Sequence, residues 1–108
     1  MKSFLLSLTA GGVLVALSIT TARADRDAKD IYLDKCAVCH GQDGMGRTAK
    51  GRKLKVADVH ETVKKFTVDE MIKAVQEGKG NDMDGYSKDF GKAEIKAVVE
   101  YYRGLAKQ

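Results

Sequence analysis

Two cysteines three apart, with a histidine directly after the second, stand in the chain as Cys36-Ala37-Val38-Cys39-His40. This C-x-x-C-H spacing is that of c-type haem attachment. At the end of a helix, residues i and i+3 share a face. Both thiols can therefore reach the two vinyl groups on one edge of a porphyrin, and His40 can offer its imidazole to the iron as the proximal ligand. These are the only cysteines, so there is no disulfide framework. Two other chemistries use such a pair. A thiol–disulfide oxidoreductase needs a reactive cysteine at a helix N-terminus, whereas this pair closes a helix and no βαβ pattern surrounds it. A zinc site needs two more ligands at suitable spacing, and His60 is the only histidine left.

The elements that must position these residues read as helices. Asp25 to Cys39 predicts the first, with Asp27 as N-cap, Asp30 near the positive end of the dipole, and Ala28, Ile31, Tyr32 and Cys39 on or near one face. Gly41, Gly44, Gly46 and Gly51 then interrupt any period, which predicts a loop over Gly41 to Lys55 that wraps close to the cofactor. Asp58-Val59-His60-Glu61 has capping-box spacing ahead of a short helix carrying Val59, Val63 and Phe66. Thr67-Val68-Asp69-Glu70 is a cleaner capping box, opening a helix through Met71, Ile72 and Val75 that Gly78 stops. Lys79 to Phe90 is a second irregular stretch. A last helix over about Lys92 to Leu105 is capped at Gly91, with Glu94 three residues on, and carries the stripe Ile95, Val98, Val99, Tyr102 and Leu105. No strand signal appears. The expected fold is all-α, with 3–5 short helices wrapped around one covalent haem and no sheet.

Residues 1–24 stand apart from that domain. Lys2 is a positive n-region, Phe4 to Ile19 is mostly apolar, and Ala22-Arg23-Ala24 is an A-x-A site, so the segment reads as a cleaved Sec signal peptide. A retained anchor is the alternative. The apolar run, diluted by Ser, Thr and two Gly, falls short of the about 20 predominantly apolar residues a membrane span needs. The expected mature chain is 25–108, exported to the periplasm. Cleavage also changes the charge balance. The precursor holds 19 Lys and Arg against 15 Asp and Glu. Lys2 and Arg23 leave with the segment, giving 17 against 15, and two haem propionates bring the holoprotein close to neutral. The basic precursor is therefore no argument for nucleic-acid binding. Charge remains unevenly distributed, basic over Lys50, Arg52, Lys53, Lys55, Lys64 and Lys65, acidic at Asp82, Asp84 and Asp89. Such runs are usually solvated faces, and a docking patch is the other reading. A mature domain of about 84 residues is small for a self-sufficient core, and a buried haem supplies a staple.

Taken together, an N-terminal helix ending in Cys-x-x-Cys-His-Gly, the stretch Gly78-Lys79-Gly80-Asn81-Asp82-Met83-Asp84-Gly85-Tyr86, Glu94-Ile95 and Tyr101-Tyr102-Arg103-Gly104-Leu105 resemble a class I cytochrome c of the small bacterial type. The resemblance covers essentially all of Asp25 to Lys107. It implies His/Met ligation, with Met83 as the distal iron ligand and Tyr86 packed near it against the haem. It also implies that Ala28 and Tyr32 meet Val98 and Tyr101, which leaves open whether Tyr101 or Tyr102 serves the helix contact. Read from the residues alone, Met83 is the methionine in a polar loop. Met45 follows His40 too closely to reach the other haem face easily, and Met71 sits among helical core positions. His60 is the rival, since bis-histidine ligation would give a lower potential. Two departures from the family pattern stand out. Ala49 occupies the place of a proline whose carbonyl accepts the second ring N–H of the proximal histidine, and Asp84 replaces a proline after the ligand methionine. A poorly solvated Asp84 would favour ferric haem.

With both axial positions filled, the resemblance implies an electron carrier rather than an enzyme, meeting transient redox protein partners as a soluble monomer. A haem-based sensor or peroxidatic protein with a labile sixth ligand is the alternative.

Overall fold

The structure, a computed structural model, describes residues 11–16 and 26–108. Of the expected signal segment only residues 11–16 are described, exposed and without regular structure, and its cleavage site falls outside them. Among the described residues there are five helical runs and no strand.

The first run is continuous but not uniform. Helix α1 (Ala28–Ile31) passes through a π turn (Tyr32–Cys36) into α2 (Ala37–His40). Asp27 caps it, its side chain accepting from the Lys29 N–H at 3.0 Å. At the π turn the Ala37 N–H donates to the Tyr32 carbonyl, five residues back. The wider turn shifts the helical phase, so that buried Tyr32 is followed by buried Ala37. Such turns are frequent at functional sites. A 3.6-residue period cannot announce one.

Helix α3 (Ala49–Leu54) corrects the sequence expectation of a loop from Gly41 to Lys55. Thr48 caps it, accepting from the Gly51 N–H at 2.9 Å. Gly51 had suggested a break, yet it lies inside the helix. A Cβ there would collide with the Cys39 and Gly46 carbonyls, so its glycine serves a close approach of backbones, not a turn.

Helix α4 (Val59–Lys65) is capped by Asp58 through the His60 N–H rather than through a box with Glu61. Helix α5 (Val68–Glu77) has the full predicted box: the Thr67 N–H donates to Glu70 at 2.8 Å and the Glu70 N–H to Thr67 at 3.2 Å. It stops at Gly78, as expected. Helix α6 (Lys92–Gly104) keeps only the reciprocal half of a box, since Gly91 has no side chain and its N–H donates to Glu94 at 3.2 Å. A short 3₁₀ turn (Leu105–Lys107) closes the chain.

Helix α6 is the hub. Helix α1, the π turn, α4 and α5 all pack on it. The buried cluster joins Ile31, Tyr32 and Ala37 to Val59, Val98 and Leu105, each large aliphatic among them contributing about 2 kcal/mol by leaving water. The tyrosine ambiguity is resolved by division of labour. Tyr101 meets Tyr32 at 5.2 Å between ring centroids. Tyr102 lies at 6.1 Å from the same ring, turned toward His40 at 5.2 Å.

Candidate haem site

The run α1–α2 and the loop after α5 converge on one cavity of about 440 Å³, within the range of about 300–1,000 Å³ typical of small-molecule and cofactor sites. Its lining includes Cys36, Cys39 and His40 from the motif, Met83 and Tyr86 from the late loop, and Tyr102 from α6. Residues far apart in sequence thus come to a single site. The sequence candidates that stay away are equally clear. Met45 and His60 do not line the cavity, and the His60 ring is engaged by Asp58 at 2.7 Å. Met71, buried on α5, does line it, so a core position and a cavity-facing position coincide there.

The carbonyls at the end of α2 are unusually well accounted for. The last four C=O groups of a helix lack intrahelical partners and must find others. Here the Ala37 carbonyl takes the Gly41 N–H at 2.8 Å and the His40 carbonyl the Gly46 N–H at 2.8 Å. The Thr48 hydroxyl lies 2.6 Å from the Val38 carbonyl and 3.3 Å from that of Cys39. The Gly41 carbonyl accepts from the buried Tyr32 hydroxyl at 2.6 Å. Backbone at and around His40 is fixed on both sides.

The side-chain chemistry fits a haem. Burial, assisted by the positive charge of Lys79, lowers the His40 pKa and so favours the neutral imidazole, the form with a lone pair free for a metal. Its Nδ1 is buried and has no hydrogen-bond partner among the described residues, and a buried polar atom calls for one. Ala49, the position that the family likeness gives to the carbonyl partner of this ring, opens α3. Cys36 and Cys39 are both free. Burial, with Cys39 adding, pushes the Cys36 thiol up to about 11, the opposite of what a nucleophilic redox cysteine requires. Among the described residues no group of three His, Cys, Asp or Glu side chains could hold a metal, which leaves the zinc reading without ligands.

The Met83 loop is tied by its backbone. Lys79 and Met83 exchange hydrogen bonds at 2.8 and 3.3 Å, and the Tyr86 N–H donates to the Val75 carbonyl at 2.8 Å. Gly78 turns the chain at φ +79°, where a Cβ would stand 2.5 Å from the Met83 carbonyl. The loop lacks proline but is closely held. Tyr86 packs on Phe90 at 6.0 Å, and burial followed by the nearby Cys36 raises its pKa. Asp84 lines the cavity yet is exposed, so water reaches its charge and the condition of poor solvation is not met.

Sequence reasoning missed Thr48 and Lys79. Thr48 carried a signal, an N-cap residue before Ala49, which the surrounding glycines obscured. Lys79 sits with its Nζ 4.7 Å from the Phe66 ring centroid, a pairing across elements that no local pattern reveals.

Comparison with known proteins points the same way. The family model described as "Cytochrome C oxidase, cbb3-type, subunit III" matches residues 23–101. Among solved structures, the KustC0563 c-type cytochrome is similar at a TM-score of 0.68 and 30% identity, covering 73% of this chain and 96% of its own. A mutant of that cytochrome gives 0.67 and 28%, covering 73% and 98%. The c-type cytochrome XoxG from Methylobacterium extorquens AM1 gives 0.57 and 23%, covering 73% of this chain and 48% of its own, a likeness of fold alone. No curated protein matches the chain.

Proposed function

This chain belongs to the cytochrome c family as a small class I member with one haem c, and within that family we propose that it is a periplasmic one-electron carrier with His40 and Met83 as axial ligands. Cys36 and Cys39 would hold the haem as thioethers. The observation that carries this reading is the convergence of Cys36, Cys39, His40 and Met83 on one cavity. When bound, the haem supplies one-electron exchange between ferric and ferrous iron.

The chain's own residues set the conditions for that exchange. His40 offers a neutral nitrogen from a buried position. The soft thioether of Met83 favours the ferrous state more than a second histidine would, hence a comparatively high potential. Held by the iron, it would also block the approach of a substrate to the metal. Tyr86 and Tyr102 wall the cavity, Tyr102 being anchored by its hydroxyl on Thr62 at 3.2 Å.

Export follows from the signal reading of residues 1–24. Among the described residues no helix is long and apolar enough to cross a membrane. Partners would dock transiently where Lys35, Lys50, Lys55 and Lys79 stand around the cavity beside the exposed Val38, guided by charge complementarity. Asp82 and Asp84 line the same cavity and would repel an acidic partner that approached from the late loop.

The test is covalent attachment. Purified from a host able to attach haem c, the wild-type chain should retain haem on a denaturing gel, and Cys36→Ser/Cys39→Ser should lose it. Ferrous wild type should resist carbon monoxide at neutral pH. Ready binding would favour the ligand-binding alternative.

A further inference from the structure

We propose that two side-chain hydroxyls, those of Tyr32 and Thr48, position the proximal ligand by gripping the carbonyls on either side of His40. The inference rests on the assignment of His40 as that ligand. Tyr32 is 1% exposed, and its hydroxyl donates to the Gly41 carbonyl at 2.6 Å. Thr48 donates to the Val38 carbonyl at 2.6 Å, with the Cys39 carbonyl at 3.3 Å, while its oxygen accepts from the Gly51 N–H at 2.9 Å. One hydroxyl therefore holds the residue after His40. The other holds the two before it and joins them to the first turn of α3.

The imidazole itself needs this arrangement. Its Nδ1 is buried without a hydrogen-bond partner among the described residues, and the contacts that hold the ring here are its backbone and the edge of Tyr102 at 5.2 Å. Metal-bound histidines are ordinarily oriented by a hydrogen bond from the second ring nitrogen. In this chain the constraint has moved from the ring to the main chain. Tyr32 suits the task because it is held in turn. Its ring packs against Tyr101 at 5.2 Å and Tyr102 at 6.1 Å, and burial raises its pKa, keeping the phenol protonated as a donor. A phenylalanine would fill the same space and leave the Gly41 carbonyl unheld. Tyr32 and Thr48 are positioning residues, acting on the metal site only through His40.

The experiment compares ferric holoproteins by the hyperfine-shifted proton resonances of the proximal imidazole, which report ring orientation at the iron rather than global stability. Tyr32→Phe and Thr48→Val should each displace those resonances. Thr48→Ser, which keeps the hydroxyl, should restore the wild-type positions. Tyr101→Phe, which removes a hydroxyl from the same cluster, should leave them in place. If Tyr32→Phe does not fold, the Thr48→Val and Thr48→Ser pair decides. The inference is overturned if both hydroxyl deletions lower the thermal midpoint but move the resonances no further than Tyr101→Phe does. A wild-type protein with no histidine resonance of this kind would instead overturn the ligand assignment beneath it.

Discussion

On the His40 side of the cavity, side-chain hydroxyls from Tyr32 and Thr48 close on helix-end carbonyls. At the Met83 loop, the hydrogen bonds among residues 78–90 are backbone to backbone, returning to Lys79, Val75 and Gln76. The first arrangement adds particular side chains to its backbone bonds and loosens when one hydroxyl oxygen is removed. The second depends on main-chain geometry and tolerates side-chain changes everywhere except at the glycines that permit it. This cavity thus has one side held partly by side-chain hydroxyls and one held by main-chain geometry.

The largest expected effect tests how closely the first half is packed. Gly51→Ala would drive a Cβ into the Cys39 and Gly46 carbonyls, backbone that cannot swing aside. Overpacking of this kind costs about 3 kcal/mol, and denaturant unfolding of the holoprotein should show a midpoint lowered accordingly. An unchanged midpoint would mean that α3 does not press on the haem-bearing segment.

Gly78→Ala addresses the other half. The residue sits at φ +79° with the Met83 carbonyl 2.5 Å from a built Cβ, and an L-residue there costs about 2 kcal/mol. Haem should stay attached while the ferric signature of sulfur ligation weakens, because the strain falls on the Met83 loop alone. If haem attachment were lost as well, the two halves would not be separable.

Acid reaches the first half through one carboxylate, since neither hydroxyl nor backbone hydrogen bonds titrate in the acid range. Asp58 caps α4, and the Val59 N–H ties that helix to the Gly44 carbonyl of the loop after His40 at 2.9 Å. Its carboxyl is held below its ordinary value, first by the His60 N–H and then by the His60 ring. The unfolded chain therefore binds the proton more readily. The contribution is present above the unfolded value of about 3.9 and is lost as pH falls through the folded one. Thermal midpoints followed from pH 6 to pH 2 should show an acid limb that Asp58→Asn flattens. An identical limb in the variant would assign acid sensitivity to other carboxylates.

The smallest effect belongs to Asp84. An exposed charge in high dielectric contributes about 0.5 kcal/mol, about 20 mV for a one-electron couple. Asp84→Asn should raise the midpoint potential by no more than that. A much larger rise would show the carboxylate to be poorly solvated in the holoprotein.

Helix identity was legible in the sequence wherever a cap and a period coincided. Thr67 with Glu70 marked α5, and the stripe from Ile95 to Leu105 marked α6. Legibility failed where a residue served a tertiary neighbour. Gly51 read as a break because the Cys39 carbonyl it accommodates is remote in sequence, so α3 was missed. The π turn at Tyr32–Cys36 left no trace because periodicity averages over it. Tyr101 and Tyr102, adjacent on one turn, could not be divided by phase alone. At the site, the two cysteines and His40 were plain from spacing. Met83 came from its loop setting and from family likeness, and Met71 was not foreseen as a cavity neighbour because a buried position and a cavity-facing one look alike in sequence. The grip on the helix-end carbonyls could not be read at all, since hydroxyl donors carry no address.

The assignment of both axial ligands rests finally on Met83, the one element of the site that sequence spacing does not specify. Its test is the ferric absorption spectrum of matched holoproteins. The sulfur-to-iron charge-transfer band should be present in wild type, Met71→Ala and His60→Ala, and absent from Met83→Ala. A band that survived in Met83→Ala and vanished in Met71→Ala would transfer the distal ligand to α5 and contradict the account.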